Sequence, residues 1–199
     1  FVWGLINIAR ERFPGEELHL AHRLDKETSG VVVMARCPET NRRLKAAFKA
    51  RRVAKSYLAI VRGEVDFQTR RVDLPIGRDP LSPIRMKMGV VEDGQGAITE
   101  FVVKERLRGL TLLECRPLSG RTHQIRVHLE AIGHPLLGDK IYGQPPEVFL
   151  SIWEKRPLPD LDERLGHPRH CLHASEIVFD LEDGVRRYEA PLAGDMQEL

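Results

Sequence analysis

The sequence predicts an α+β fold built on mainly antiparallel strands. Three observations carry that reading. Segments of helical apolar spacing are interspersed with short β-branched runs. Two such runs, 98–104 and 110–115, face each other through Arg108-Gly109 as a hairpin. Residues 63–96 are punctuated by glycines and prolines that leave room only for short strands. A chain of 199 residues suffices for one sizeable core, or two small lobes sharing a sheet.

The elements follow in order. Val2, Leu5, Ile6, Ala9 and Phe13 recur at helical spacing until Pro14-Gly15 ends the pattern. Residues 16–21 lead into His22-Arg23-Leu24-Asp25-Lys26-Glu27-Thr28-Ser29-Gly30. Thr-Ser-Gly is turn chemistry, with Gly30 able to take φ > 0, and the run 31–35 after it predicts a short buried strand. Pro38 opens a second helix at its first turn. Its apolar stripe is Leu44, Ala47 and Phe48, so its basic residues face outward. Residues 56–61 form a strand by composition, and alternation puts Tyr57 on a partly buried face with Ala59 and Val61. Short strands fit at 72–76 and 85–91, the latter projecting Arg85 and Lys87 from one face. After Ser119-Gly120, Thr122 is the expected N-cap of a helix with Ile125, Leu129 and Ile132 on its apolar side and Gly133 at C′. Thr122 and Arg126 then share one helix face, as do Gln124 and His128. Residues 133–143 form a structured loop, and no internal repeat or low-complexity linker interrupts the chain.

Chemistry concentrates at two of these stretches. Asp25 sits on a loop against a strand, a common placement for catalytic groups, with His22 and Arg23 nearby. An Asx-turn or helix N-cap is its structural alternative. Arg126 lies between Ile125 and Val127, so if it points inward it needs a carboxylate, and Asp25 is the candidate. A surface ion pair is its alternative. Arg121, His123 and Gln124 join Arg126 near a helix N-terminus, which favours anions. Between Thr40 and Gly63 no acid occurs, yet Arg42, Arg43, Lys45, Lys49, Arg51, Arg52, Lys55 and Arg62 do. A solvated face normally mixes signs, so this patch reads as a phosphate-contacting surface. Tyr57, from its strand alone, reads as a core aromatic.

Composition narrows the class. With 42% hydrophobic and 30% charged residues, the chain reads as soluble and globular. No run approaches the roughly 18 apolar residues of a membrane span, and no signal peptide is visible. Three scattered cysteines, Cys37, Cys115 and Cys171, argue against a disulfide framework and for a reducing cytoplasm. Net charge of +2 says little about partners; the local patch says more. The glycine-rich loops lack a P-loop or dinucleotide fingerprint. His167, His170, Cys171 and His173 suggest a metal hydrolase, but their spacing matches no strong zinc pattern. Because the chain starts at Phe1, an upstream segment is expected to be missing.

Several separated motifs, in order, resemble the RluA-type RNA pseudouridine synthases. His-Arg-Leu-Asp, two variable residues and Thr-Ser-Gly stand at 22–30; Gly-Arg-Thr-His-Gln-Ile-Arg-Val-His stands at 120–128. Gly-His-Pro-Leu, Gly-Asp and Tyr-Gly follow within 133–143, Lys55-Ser56-Tyr57 matches a Lys-x-Tyr motif, and Leu172-His173-Ala174 looks like the start of the next family strand. The resemblance implies that all 199 residues form one catalytic domain, with a mixed, largely antiparallel sheet and flanking helices. It implies Asp25 as the catalytic aspartate, Tyr57 as the active-site tyrosine that stacks on the base and takes or relays the C5 proton, and Arg126 as the partner of Asp25. Arg23 would hold the flipped nucleotide; His22, Arg121, His123 and Gln124 look like RNA contacts or loop supports, and Arg42, Arg43, Lys45, Arg51, Arg52 and Lys55 like phosphate contacts. The family's opening Lys-Pro-x-Gly strand and the S4 module of many relatives are absent here, and 144–170 reads as a family-variable insertion.

The implied reaction isomerises uridine to its C-glycoside in structured RNA, ribosomal RNA first and transfer RNA next. Neither metal nor organic cofactor is expected, and the protein is expected to act as a cytoplasmic monomer. The carboxylate would attack C1′, assist loss of the 2′-proton, or add to C6; the sequence leaves these open. A non-catalytic RNA-binding or ribosome-assembly module on the same fold is the alternative.

Overall fold

A computed structural model describes residues 4–156 and 158–199; Val2, expected in the first helix, lies outside them. The elements run α1 (Leu5–Arg12), β1 (His19–Leu20), β2 (Ser29–Gly30), β3 (Met34–Ala35), α2 (Pro38–Lys49), β4 (Val53–Arg62), β5 (Thr69–Asp73), β6 (Ile76–Arg78) and β7 (Met88–Val90). They continue with β8 (Ile98–Leu107), β9 (Leu110–Pro117), α3 (Gln124–Ala131), α4 (Pro146–Trp153), α5 (Leu161–Leu165), β10 (Leu172–Leu181), β11 (Gly184–Glu189) and α6 (Gly194–Gln197). The fold is α+β. Its main sheet has the order β11-β10-β4-β9-β8-β5, all antiparallel, and β2 adds a parallel pairing to the start of β10.

Two packings fix the framework of the site. Ala59 and Val61 of β4 join Phe101, Leu113, Ile125 and Leu129 in one core, so α3 is pinned to β4, β8 and β9. Tyr57 packs partly buried against that cluster, as alternation requires. Leu44 and Ala47 of α2 are buried with Ile177 and Phe179 of β10, and Phe48 meets Phe179 edge-on at 5.5 Å. Pro38 occupies the first turn of α2 and Cys37 Sγ accepts from Thr40 N–H, so the helix starts where the proline predicts.

Several expectations change in detail. The 31–35 run is not one strand. Val31 N–H donates to Ala174 O and Val33 N–H to His22 Nε2, so its backbone bonds go to different partners and only Met34–Ala35 pairs, with β1. The expected strands 72–76 and 85–91 resolve into β5 on the main sheet and the separate β6–β7 ribbon. The β8–β9 hairpin turns at Arg108-Gly109 and runs longer than expected, with a bulge near Val103. The 144–170 segment contains α4 and α5. Among the described residues no helix is long and apolar enough to cross a membrane.

Candidate active site

Three segments converge on Arg126. The first is the loop before β2. Thr28 N–H donates to Asp25 O, closing a turn that lifts the Asp25 side chain. Thr28 Oγ1 meets His170 Nε2 at 2.8 Å and Ser29 Oγ meets His173 Nδ1 at 2.9 Å, so the turn is tied to β10 and the residues just before it. Gly30 has φ +110°, and a Cβ there would lie 2.2 Å from Ala174 O; only glycine allows this approach. The Thr-Ser-Gly motif thus fixes Asp25 through two hydroxyls and a bare backbone.

The second segment is α3. Every residue from Gln124 to Leu129 is buried. The helix begins one residue later than expected: His123, not Thr122, holds the N-cap position, in left-handed conformation and without a side-chain cap bond. The Gln124 amide closes this end. Its Oε1 accepts from Ser119 Oγ and Arg121 N–H, and its Nε2 donates to Ile98 O and Thr99 Oγ1. Gln124 thus braces the loop that opens α3. His128, on the same helix face, meets the same Thr99 Oγ1 at 2.9 Å.

The third segment, absent from the expected site, is the loop after Gly133. Asp139 is fully buried and takes Arg126 Nε at 2.7 Å and Nη2 at 2.9 Å, while its Oδ1 also accepts the N–H groups of Ile141 and Tyr142. Burial opposes charge on Asp139, but the guanidinium and these bonds outweigh it and hold its carboxyl below the usual range. The Tyr142 ring lies 4.7 Å beneath the guanidinium. Gly138, at φ +76°, lets the loop pass where a Cβ would lie 2.0 Å from Arg169 O. The available sign of this buried partner was an acid following the apolar pair Leu136-Leu137, although Lys140 beside it obscured the pattern.

Arg126 has one amino group left, and Nη1 donates to Asp25 Oδ2 at 3.2 Å. The expected Asp25–Arg126 pair is present. Asp25 keeps 23% of its side-chain surface exposed against 6% for Arg126. It opens into a cleft of about 270 Å³, near the lower end of small-ligand sites, lined also by Arg23, Lys55, Tyr57, Arg121 and His123. Burial, then the Asp25 charge, pushes the Tyr57 hydroxyl up to about 12, so it faces the cleft as a neutral phenol. His123 Nε2 stands 3.9 Å from Asp25 Oδ2.

The remaining candidates separate into surface and interior. Arg42, Lys45, Lys49 and Arg51 are exposed on or just after α2, and Arg23 is exposed at the cleft mouth. Arg43 is exposed but engaged with Asp183 at 3.0 Å. Lys55 is not part of that surface. It lines the cleft, its Nζ donates to Ser119 O, and burial lowers its pKa to about 8. His22 faces inward, accepting from Val33 N–H beside the Phe48 ring, and burial, then Lys55, lowers its pKa to about 4. Lys87, expected on an outer face, pairs with Glu130. His167, His170 and His173 take separate partners: Arg169 O, Thr28 and Ser29. Among the described residues no cluster of three ligating side chains is placed to hold a metal.

An aspartate oriented by Arg126 and open to a small cleft beside a tyrosine makes this cleft the candidate active site. The profile of a family described as RNA pseudouridylate synthase matches residues 6–131. A ribosomal large subunit pseudouridine synthase D from Nitrosomonas europaea is 38% identical over 201 residues, covering 98% of this chain and 54% of that protein. An uncharacterized RNA pseudouridine synthase from Chloroflexus aurantiacus is 43% identical, covering 97% and 58%. The solved structure of human RNA Pseudouridylate Synthase Domain Containing 1 superposes with a TM-score of 0.76 at 31% identity, covering 94% of this chain and 73% of that one. The chain belongs to the RNA pseudouridylate synthase family. It spans about half the length of the curated relatives it matches.

Proposed function

We propose that this chain is the catalytic domain of an RNA pseudouridine synthase that isomerises uridine in structured RNA, ribosomal RNA before transfer RNA. The single observation that carries the reading is the Asp25 carboxylate, held by one Arg126 N–H and open to the cleft beside Tyr57. The names of relatives such as the Nitrosomonas protein support ribosomal RNA. In the reaction the N1–C1′ bond breaks, the uracil turns, C5 bonds to C1′, the C5 proton leaves and N1 takes up a proton. Redox balance is unchanged, and no water is consumed. Asp25 supplies the carboxylate each route requires, and Arg126 keeps it aimed. Tyr57, a neutral phenol, stacks on the base and relays the C5 proton rather than removing it as a phenolate. Arg23 helps open the RNA stack and holds the flipped nucleotide, and the exposed cations of α2 contact phosphates, which makes affinity fall with salt.

The test is tritium release from 5-tritiated-uridine RNA, with ribosomal and transfer RNA pools compared. Release by the wild-type protein and none by Asp25→Asn is the expected result. Release by both overturns the assignment of Asp25. Release by neither, with RNA still bound, favours the binding-module alternative.

A further inference from the structure

His123 makes contacts that an RNA-contacting histidine does not need. Its Nδ1 lies 2.8 Å from Tyr142 Oη, and its Nε2 faces Asp25 Oδ2 across 3.9 Å. Its backbone holds a left-handed φ of 57°, an uncommon conformation that histidine, like asparagine and aspartate, adopts more readily than most side chains. Without that turn the imidazole would not project back over Asp25 from the first residue before α3.

The proton positions follow from the partners. Tyr142 Oη has one proton and already accepts from Met88 N–H at 3.0 Å. If His123 Nδ1 carried the proton, Tyr142 Oη would accept twice and its own proton would have no partner among its contacts. The bare Nε2 lone pair would then also face the carboxylate. Both problems vanish if Tyr142 O–H donates to Nδ1 and the imidazole carries its proton on Nε2. Burial, then the Arg126 charge, lowers the His123 pKa, in keeping with a neutral ring.

We infer that His123 is a positioning residue for Asp25, its Nε2–H the second donor to that carboxylate, set by the chain Met88 N–H to Tyr142 O–H to His123 Nδ1. This deepens the isomerase reading and rests on it. The two atoms stand 3.9 Å apart, and such bonds tighten when a reacting group arrives. The chain starts at β7, so the β6–β7 ribbon is coupled to the catalytic carboxylate. Arg126 and His123 both address Oδ2, and together they leave Oδ1 to face the nucleotide.

Two measurements test this. The first needs no turnover: nitrogen-15 NMR of the imidazole in the wild-type protein. An unprotonated Nδ1 with Nε2–H, its Nε2 resonance shifting in Asp25→Asn, is the expected result; an Nδ1–H tautomer overturns the proposal. The second compares His123→Asn with His123→Gln. Asparagine tolerates the left-handed backbone and mimics Nδ1 only, whereas the glutamine amide reaches the Nε2 position. The single-turnover rate should fall about 10-fold in His123→Asn, with RNA affinity unchanged, and stay within about 3-fold of wild type in His123→Gln. A wild-type rate in His123→Asn, or weakened RNA binding in both variants, overturns the proposal. Absence of tritium release from the wild-type protein counts against the isomerase reading alone, and the NMR result still decides the histidine.

Discussion

The 133–143 loop and the 22–30 loop each bring an aspartate to Arg126, and they hold it differently. Asp139 takes two guanidinium bonds and two backbone N–H groups and has no exposed surface. Asp25 takes one guanidinium bond and keeps nearly a quarter of its side chain open. The first carboxylate neutralises a buried cation, and without it the core would hold an uncompensated charge. The second is left with lone pairs free for chemistry. One arginine serves both because its planar fork presents separate edges, which a lysine cannot do.

That comparison predicts opposite behaviour for the two isosteric amides. Asp25→Asn should lower single-turnover pseudouridine formation by about 1000-fold or more while its melting temperature stays near wild type. Asp139→Asn should instead destabilise the fold by about 3–5 kcal/mol in urea unfolding, because Arg126 loses its main counter-charge. Equal stability losses in the two variants would erase the distinction. Acid should sharpen it next. His170 is buried, and burial, then the Arg126 charge, lowers its pKa from 6.5 to about 4. Between those values the unfolded chain binds the extra proton, so stability is complete above pH 6.5 and falls as pH drops toward 4. His170 alone accounts for about 3 kcal/mol across that window, readable as denaturation midpoint against pH. Thr28→Val removes the hydroxyl that meets His170 and should cost about 1 kcal/mol, with a larger effect on turnover than on melting because it frees the Asp25 turn. The smallest effect belongs to Arg43→Ala, whose exposed pair with Asp183 should change stability by less than about 0.5 kcal/mol.

The same two loops mark how far the sequence was legible. Asp25 and Arg126 could be paired in advance because a cation between Ile125 and Val127 demands an acid, and the motifs offered one. Asp139 was missed because its role depends on bidentate geometry and on two backbone donors, which no spacing displays. The apolar stripe of α2 correctly turned most of its cations outward, but Lys55, beyond the helix on β4, was counted with them although the strand carries it into the cleft. The run 31–35 looked like one strand because composition cannot show that its N–H groups would go to Ala174 and His22. Thr122 looked like an N-cap because the Gln124 amide, which closes that turn instead, is invisible without the β8 backbone it binds.

The contact of Gly30 with Ala174 joins residues far apart in the sequence. Ser29 and Thr28 likewise wait for His173 and His170. During synthesis the helix with the exposed cations emerges well before the partners that shape the Asp25 turn. Loop closure over such a span is entropically costly and slow, so this turn is among the last features to set. A nascent chain that has not yet reached β10 therefore presents a cationic surface while the Asp25 turn still lacks its partners.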